Sequence, residues 1–153
     1  MQSAALVTFT DARDEGISNP EVEDALRKKQ KELRVFLEEK HVTVIDPLAE
    51  LRPAGSSWYG IRSLDDIKKV VRLLMNHEVD AVIVGVWTWS PPVFIKEFLR
   101  QFPKPVLFYT ENDPFSGALS QMTAACSSLL EWSVNSHALR HERVFGNKEE
   151  ILP

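Results

Sequence analysis

The hydrophobic and polar positions of this chain switch repeatedly between two periods. Ala4 to Thr10 (AALVTFT) is a short apolar, β-branched run that predicts a buried strand. From Asn19-Pro20 onward, Val22, Leu26, Leu33 and Leu37 recur near the helical period, with Lys and Glu filling the other faces. Asn19 suits the cap, Pro20 the first helical position and Glu21 and Glu23 the first turn, so a helix is predicted to about Lys40. Val42 to Asp46 predicts a second strand, closed by Asp46-Pro47. Leu48 to Arg62 is predicted to be irregular, and a loop of that length in a compact domain is usually functional or mobile. Ser63 with Asp66 resembles a capping box, ahead of a helix that turns Ile67, Val70, Val71 and Leu74 inward.

The same alternation continues. Asp80 to Val86 (DAVIVGV) is a nearly unbroken apolar run, the pattern of a strand covered on both faces. Ser90-Pro91 repeats the cap-then-proline signal and opens a helix to about Gln101. Pro105 to Thr110 predicts a fourth strand, and Asp113-Pro114 a fourth helix to about Glu131. After Trp132 the pattern weakens to a short helix over Val134 to His141 and a short strand at Arg143-Val144-Phe145; Glu149 to Pro153 shows no terminating element. Four strand–helix units in succession predict one α/β domain over residues 1–153, with a mainly parallel sheet of four or five strands, helices on both faces and right-handed crossovers.

Composition narrows the function classes. The 153 residues suit one domain, and 44% hydrophobic with 26% charged residues is ordinary for a globular protein. A formal net charge of -4 argues against nucleic acid or an anionic membrane as partner. The run Ala81 to Trp89 is too short to span a bilayer, and the first residues lack signal-peptide character. Cys126, the single cysteine, is expected to be a core residue rather than a nucleophile, and fits a cytoplasmic protein.

In an open parallel sheet, ligands bind beyond the carboxyl ends of the strands. Each predicted strand is followed by groups suited to that edge. Asp11, Arg13, Asp14 and Glu15 follow the first strand, and Trp58 and Tyr59 the second. Trp87-Thr88-Trp89-Ser90 follow the third, and Glu111, Asn112 and Asp113 the fourth. Aromatic rings beside carboxylates, an arginine and an asparagine suit a small polyol, because rings cover C–H patches while polar groups take the hydroxyls. Plainer roles compete: Arg13 pairs with Asp14 or Glu15, Asp113 caps a helix, one of Trp87 and Trp89 enters the core, and Trp58 and Tyr59 serve a subunit interface. Gly-x-Gly-x-x-Gly, a phosphate loop and Gly-x-Ser-x-Gly are absent, and Trp87 stands where a receiver domain needs its aspartate. His41, His77, His137 and His141 form no convincing metal set; the first two fall at helix ends, and the last two lack an intervening glutamate.

The strings Thr8-Phe9-Thr10-Asp11-x-Arg13-Asp14-Glu15-Gly16, Ser57 to Arg62 (SWYGIR), Gly85 to Pro92 (GVWTWSPP) and Tyr109 to Pro114 (YTENDP) together resemble the N-terminal domain of the L-fucose/L-arabinose isomerase superfamily, and more closely the L-fucose isomerase-like proteins. The resemblance runs from Ala4 to about Asn147, and its last two strings are the most specific. It implies a Rossmann- or flavodoxin-like three-layer domain that packs in a homo-oligomer and lends recognition residues to a neighbouring subunit. The family interconverts aldose and ketose by proton transfer between C1 and C2, with a divalent metal, typically manganese, polarising the sugar oxygens. The resemblance places the metal ligands in later segments, so no catalytic residue and no metal or cofactor is assigned to this chain. Arg13 and one of Trp87 or Trp89 are the best candidates to touch the sugar, with Trp58, Tyr59, Glu111 and Asn112 behind them. The expected partners are a sugar and further copies of the chain, with neither nucleic acid nor membrane. The sequence stops at Pro153, before any catalytic segment, and of the two explanations, a fragment or a small protein that kept one domain, the fragment is favoured.

Overall fold

The computed structural model describes residues 1–11, 19–52, 55–111 and 141–152, and residues 124 and 127 between them. Five strands, β1 (Ser3–Thr8), β2 (Thr43–Ile45), β3 (Ala81–Gly85), β4 (Val106–Thr110) and β5 (His141–Phe145), form one sheet in the order β2-β1-β3-β4-β5. Every neighbouring pair is parallel. Two expectations thereby hold: the sheet is the parallel one of a flavodoxin-like α/β domain, and its five strands among the described residues fall within the four or five expected. Its centre is the most apolar part, as a sheet covered on both faces requires. All of β4 and every residue of β3 after Ala81 are buried, whereas edge strand β2 is partly exposed throughout.

Helix α1 (Pro20–Glu39) starts where the sequence places it, with the Asn19 side chain accepting a hydrogen bond from Val22 N at 3.0 Å and Pro20 in the first turn. It ends in a Schellman turn in which His41 adopts φ 63° and the amides of His41 and Val42 donate to Glu38 O and Leu37 O. Helices α3 (Leu64–Leu74) and α4 (Pro92–Gln101) pack on each other, while α1 packs on β1 and β2. Right-handed crossovers in a sheet of this order put α1 on one face and α3 and α4 on the other. The core joins the two sides of the sheet through buried β1 and β3, and its largest rings include Phe98, edge-on to Phe9 at 5.8 Å.

Three sequence expectations are corrected. Residues 47–51 form a short helix, α2 (Pro47–Leu51), rather than irregular chain. Asp46 caps it, accepting from Leu48 N and Ala49 N at 3.1 and 3.2 Å, with Pro47 in the first turn. Asp46-Pro47 thus opens a helix as Asn19-Pro20 does. Ser90 is not the N-cap residue: that position before α4 is Pro91, without a side-chain cap, and Ser90 is buried. The C-terminal residues do have an element, the 3-10 helix Lys148–Ile151, which places Ile151 against β4 and β5. The capping box is altered as well. Ser63 Oγ accepts from Asp66 N at 3.1 Å, but the Asp66 carboxylate accepts from Arg62 N and pairs with Arg52 at 2.7 Å. His141 begins β5. Of the predicted helix after Asp113-Pro114 only Ala124 and Ser127 are described, and both are helical; the rest of it, residues 134–140, Cys126 and His137 lie outside the described residues.

Candidate functional site

The chain runs from β1 to β2 on one side and then crosses β1 to reach β3, so strand order reverses between β1 and β3. That switch point, at the carboxyl ends of the two strands, is the ordinary ligand position in such sheets. The two ends are tied together by Thr8 Oγ1, which donates to Gly85 O at 2.7 Å. Beyond them the interior turns polar: Thr10, Asp11, Thr88, Ser90 and Thr110 are all buried. Burying so many polar groups at one edge is costly unless they find partners.

Helix α1 adds a further polar group from below. Gln30 is fully buried on the stripe that otherwise carries Leu26, Leu33 and Leu37. Its Oε1 accepts a hydrogen bond from Trp87 Nε1 at 2.8 Å. Because the indole nitrogen can only donate, this contact fixes the amide orientation and leaves Nε2 as the other terminus. Gln30 Nε2 and Thr10 Oγ1 are both buried and have no hydrogen-bond partner among the described residues. Trp87 is the tryptophan of the pair that enters the core, 3% exposed and edge-on to Tyr109 at 5.6 Å. Trp89 is half-buried. Tyr109 Oη donates to Glu111 Oε1 at 3.3 Å, and burial, with the Glu111 charge behind it, raises the phenol pKa, so it stays a donor near neutral pH. Glu111 lies between two ammonium groups, Lys29 at 3.8 Å and Lys148 at 3.4 Å. The Lys29 ammonium also lies 5.6 Å from the centre of the Trp87 ring.

Gly85 is where this edge is tightest. A Cβ there would stand 2.5 Å from Trp87 Nε1 and press on Gln30 Oε1. Gly85→Ala is therefore expected to cost about 1–3 kcal/mol of stability and to break the Gln30–Trp87 hydrogen bond. The denaturation midpoint reads the first effect and the Trp87 indole N–H resonance the second.

Trp58 and Tyr59 are placed elsewhere. At 3.6 residues per turn, Lys29 lies on one side of the buried stripe of α1, and Asp24, Arg27, Lys31, Arg34 and Glu38 on the other. Tyr59 faces that second flank, in a cavity of about 730 Å³ between α1, α2 and residues 55–59. The Tyr59 ring is buried beneath the Arg27 guanidinium, 4.9 Å from its centre. The Tyr59 and Gly60 amides donate to buried Glu23 at 2.8 and 2.9 Å, which fastens the segment to α1. Trp58 is 37% exposed, with the Arg62 guanidinium stacked 3.7 Å from its ring centre.

The fold thus brings Trp87 and Glu111 to one edge, together with Gln30 and Thr10; Gly60 packs against the Thr10 side chain, but the Tyr59 side chain before it lines the cavity on the other flank of α1. Arg13 and Asn112 lie outside the described residues. In the sequence Gln30 carried no expectation and Glu23 only that of a favourable first-turn charge, although a polar residue on an apolar helical stripe is the signal that marks each. Among the described residues no three His, Cys, Asp or Glu side chains are grouped to hold a metal ion, and no helix is long and apolar enough to cross a membrane. No model of a known protein family matches the chain, and comparison with curated proteins finds no match.

Proposed function

We propose that this domain recognises an aldose or ketose at the carboxyl edge between β1 and β3. It does so as the N-terminal, substrate-covering and oligomer-forming domain of a metal-dependent isomerase of the L-fucose/L-arabinose type. One observation carries the proposal: among the described residues, buried Gln30 Nε2 and Thr10 Oγ1 have no hydrogen-bond partner. Each unsatisfied group costs on the order of 1–3 kcal/mol, which a ligand hydroxyl would recover. A sugar suits the pair because each hydroxyl both donates and accepts. Three of the four strings that carry the resemblance, through Thr8 to Asp11, Gly85 to Pro92 and Tyr109 to Glu111, lie at this same edge.

In this reading Gln30 donates to a sugar hydroxyl, and Trp87 orients Gln30 rather than covering the sugar itself. Glu111 accepts from a second hydroxyl, with the Lys29 and Lys148 ammonium groups flanking its carboxylate. Trp89, half-buried beyond β3, is the ring available to a C–H face. Manganese and the proton transfer belong to segments outside this chain, whose own part is to bind and orient. Exposed Trp58 with its stacked arginine suits the packing of copies, since interfaces favour both residue types.

Complementation tests the proposal. The chain is supplied, with manganese, to the catalytic segments of such an isomerase lacking its own N-terminal domain. Aldose–ketose conversion is expected to return, and to fall again with Gln30→Leu. If the folded chain binds the sugar but restores no conversion, the domain is a stand-alone binding module instead.

A further inference from the structure

The cavity on the other flank of α1 is not part of the sugar edge, and its lining has a different chemistry. Its volume, about 730 Å³, falls in the range of small-molecule sites. Four cationic side chains line it: Arg27, Lys31 and Arg34 from α1, and Arg52 from the end of α2. Two of these are already neutralised, Arg34 by Glu38 at 2.8 Å and Arg52 by Asp66 at 2.7 Å. Arg27 is not. Its guanidinium donates to two backbone carbonyls, Ser56 O at 2.9 Å and Arg52 O at 3.4 Å, and rests on the Tyr59 ring. These contacts hold it in place without a carboxylate, and three of its five N–H donors are left over. Lys31, one turn along α1, is exposed and makes no ion pair among the described residues.

Tyr59 completes the set. It is 4% exposed and lines the cavity, and its hydroxyl has no hydrogen-bond partner among the described residues. Burial, followed by the nearby Asp46 charge, raises its pKa, so the hydroxyl remains protonated and can donate. The acceptors around it are mostly occupied: Asp46 takes the amides of Leu48 and Ala49, and Glu38 takes Arg34. Exposed Asp24, one turn before Arg27, is the carboxylate left to accept from a ligand.

We propose that this cavity is a second binding site, for a small polyol bearing an oxyanion, either a phosphate ester or a carboxylate. Arg27, Lys31 and the Tyr59 hydroxyl converge on the oxyanion, and Asp24 accepts from a hydroxyl. A phosphate and a carboxylate share the chemistry that three converging donors recognise.

The test uses the whole chain, isotope-labelled, titrated separately with inorganic phosphate, a sugar monophosphate, a sugar carboxylate and a neutral sugar. Saturable shifts at Arg27, Lys31 and residues 55–59 are expected with the oxyanions, and the tighter of the two hydroxylated anions identifies the class. Lys31→Gln, which removes no internal contact, is expected to weaken binding about tenfold, and Tyr59→Phe to weaken it several-fold. The proposal is overturned if no oxyanion gives saturable shifts there, if both variants bind as the parent does, or if the neutral sugar shifts these residues equally well. The shifts that test the sugar edge fall on other residues, so either site can fail without the other.

Discussion

Phe98→Ala is expected to lower the stability of the domain by about 3–5 kcal/mol, the cost of removing a fully buried aromatic ring from a packed core. Phe98 is 0% exposed, stands edge-on to Phe9 at 5.8 Å, and lies 6.1 Å from the Phe102 ring. A side chain in α4 thereby supports the residue just after β1, on the far side of the sheet edge from α1. Phe9 in turn bridges to Ile61 and precedes Thr10, so its ring helps set where the Thr10 hydroxyl lies. Typical domains are stable by only about 5–15 kcal/mol, so the loss is a large share of the total. Phe98→Leu keeps most of the volume and is expected to cost roughly 1–1.5 kcal/mol. Chemical denaturation measures both. A loss below about 1 kcal/mol for Phe98→Ala would mean that the α4 ring cluster is not packed as described.

Glu23→Ala is expected to cost roughly 2–4 kcal/mol, because it strands two buried amides at once. The Glu23 carboxylate is 1% exposed and receives Tyr59 N and Gly60 N on the same oxygen, Oε2. Charge-assisted bonds of this kind are stronger than neutral ones. Glu23→Gln retains one acceptor oxygen and is expected to lose about half as much. The distinguishing readout is local. Hydrogen exchange at Tyr59 and Gly60 should accelerate more than at the β3 amides in Glu23→Ala. Equal acceleration everywhere would reduce Glu23 to a general core residue and remove the latch that presents Tyr59 to its cavity.

The alternation of strand and helix was readable because each buried face repeats its own period. Val82, Ile83 and Val84 could only be an interior strand, and Leu26, Leu33 and Leu37 only a helical stripe. Asn19-Pro20 was readable because a cap and a proline act locally. Asp46-Pro47 carries the same signal, but it follows so soon after β2 that it reads as the close of a strand. Ser90-Pro91 misleads in the opposite direction, since burial of Ser90 at the strand end takes precedence over capping. The candidate site was legible only in part. Strand-end loops are visible in a sequence, but their grouping is not. The fold decides it, setting Tyr59 against Arg27 of α1 and Trp87 against Gln30 and Lys29. Gln30 and Glu23 gain their roles from partners 57 and 36 residues away, and Arg27, Lys31 and Arg34 look like an ordinary solvated face until α2 folds opposite them.

The central claim is that the edge between β1 and β3 holds a sugar. It is tested most directly by titrating the isotope-labelled chain with L-fucose, L-arabinose and their ketose partners, with and without manganese. Saturable amide shifts are expected in Thr8 to Asp11, Val86 to Ser90 and Thr110 to Glu111, weak in affinity and abolished by Gln30→Leu in a chain that remains folded. Unmoved resonances at these positions, with high millimolar sugar and an intact fold, would contradict the claim.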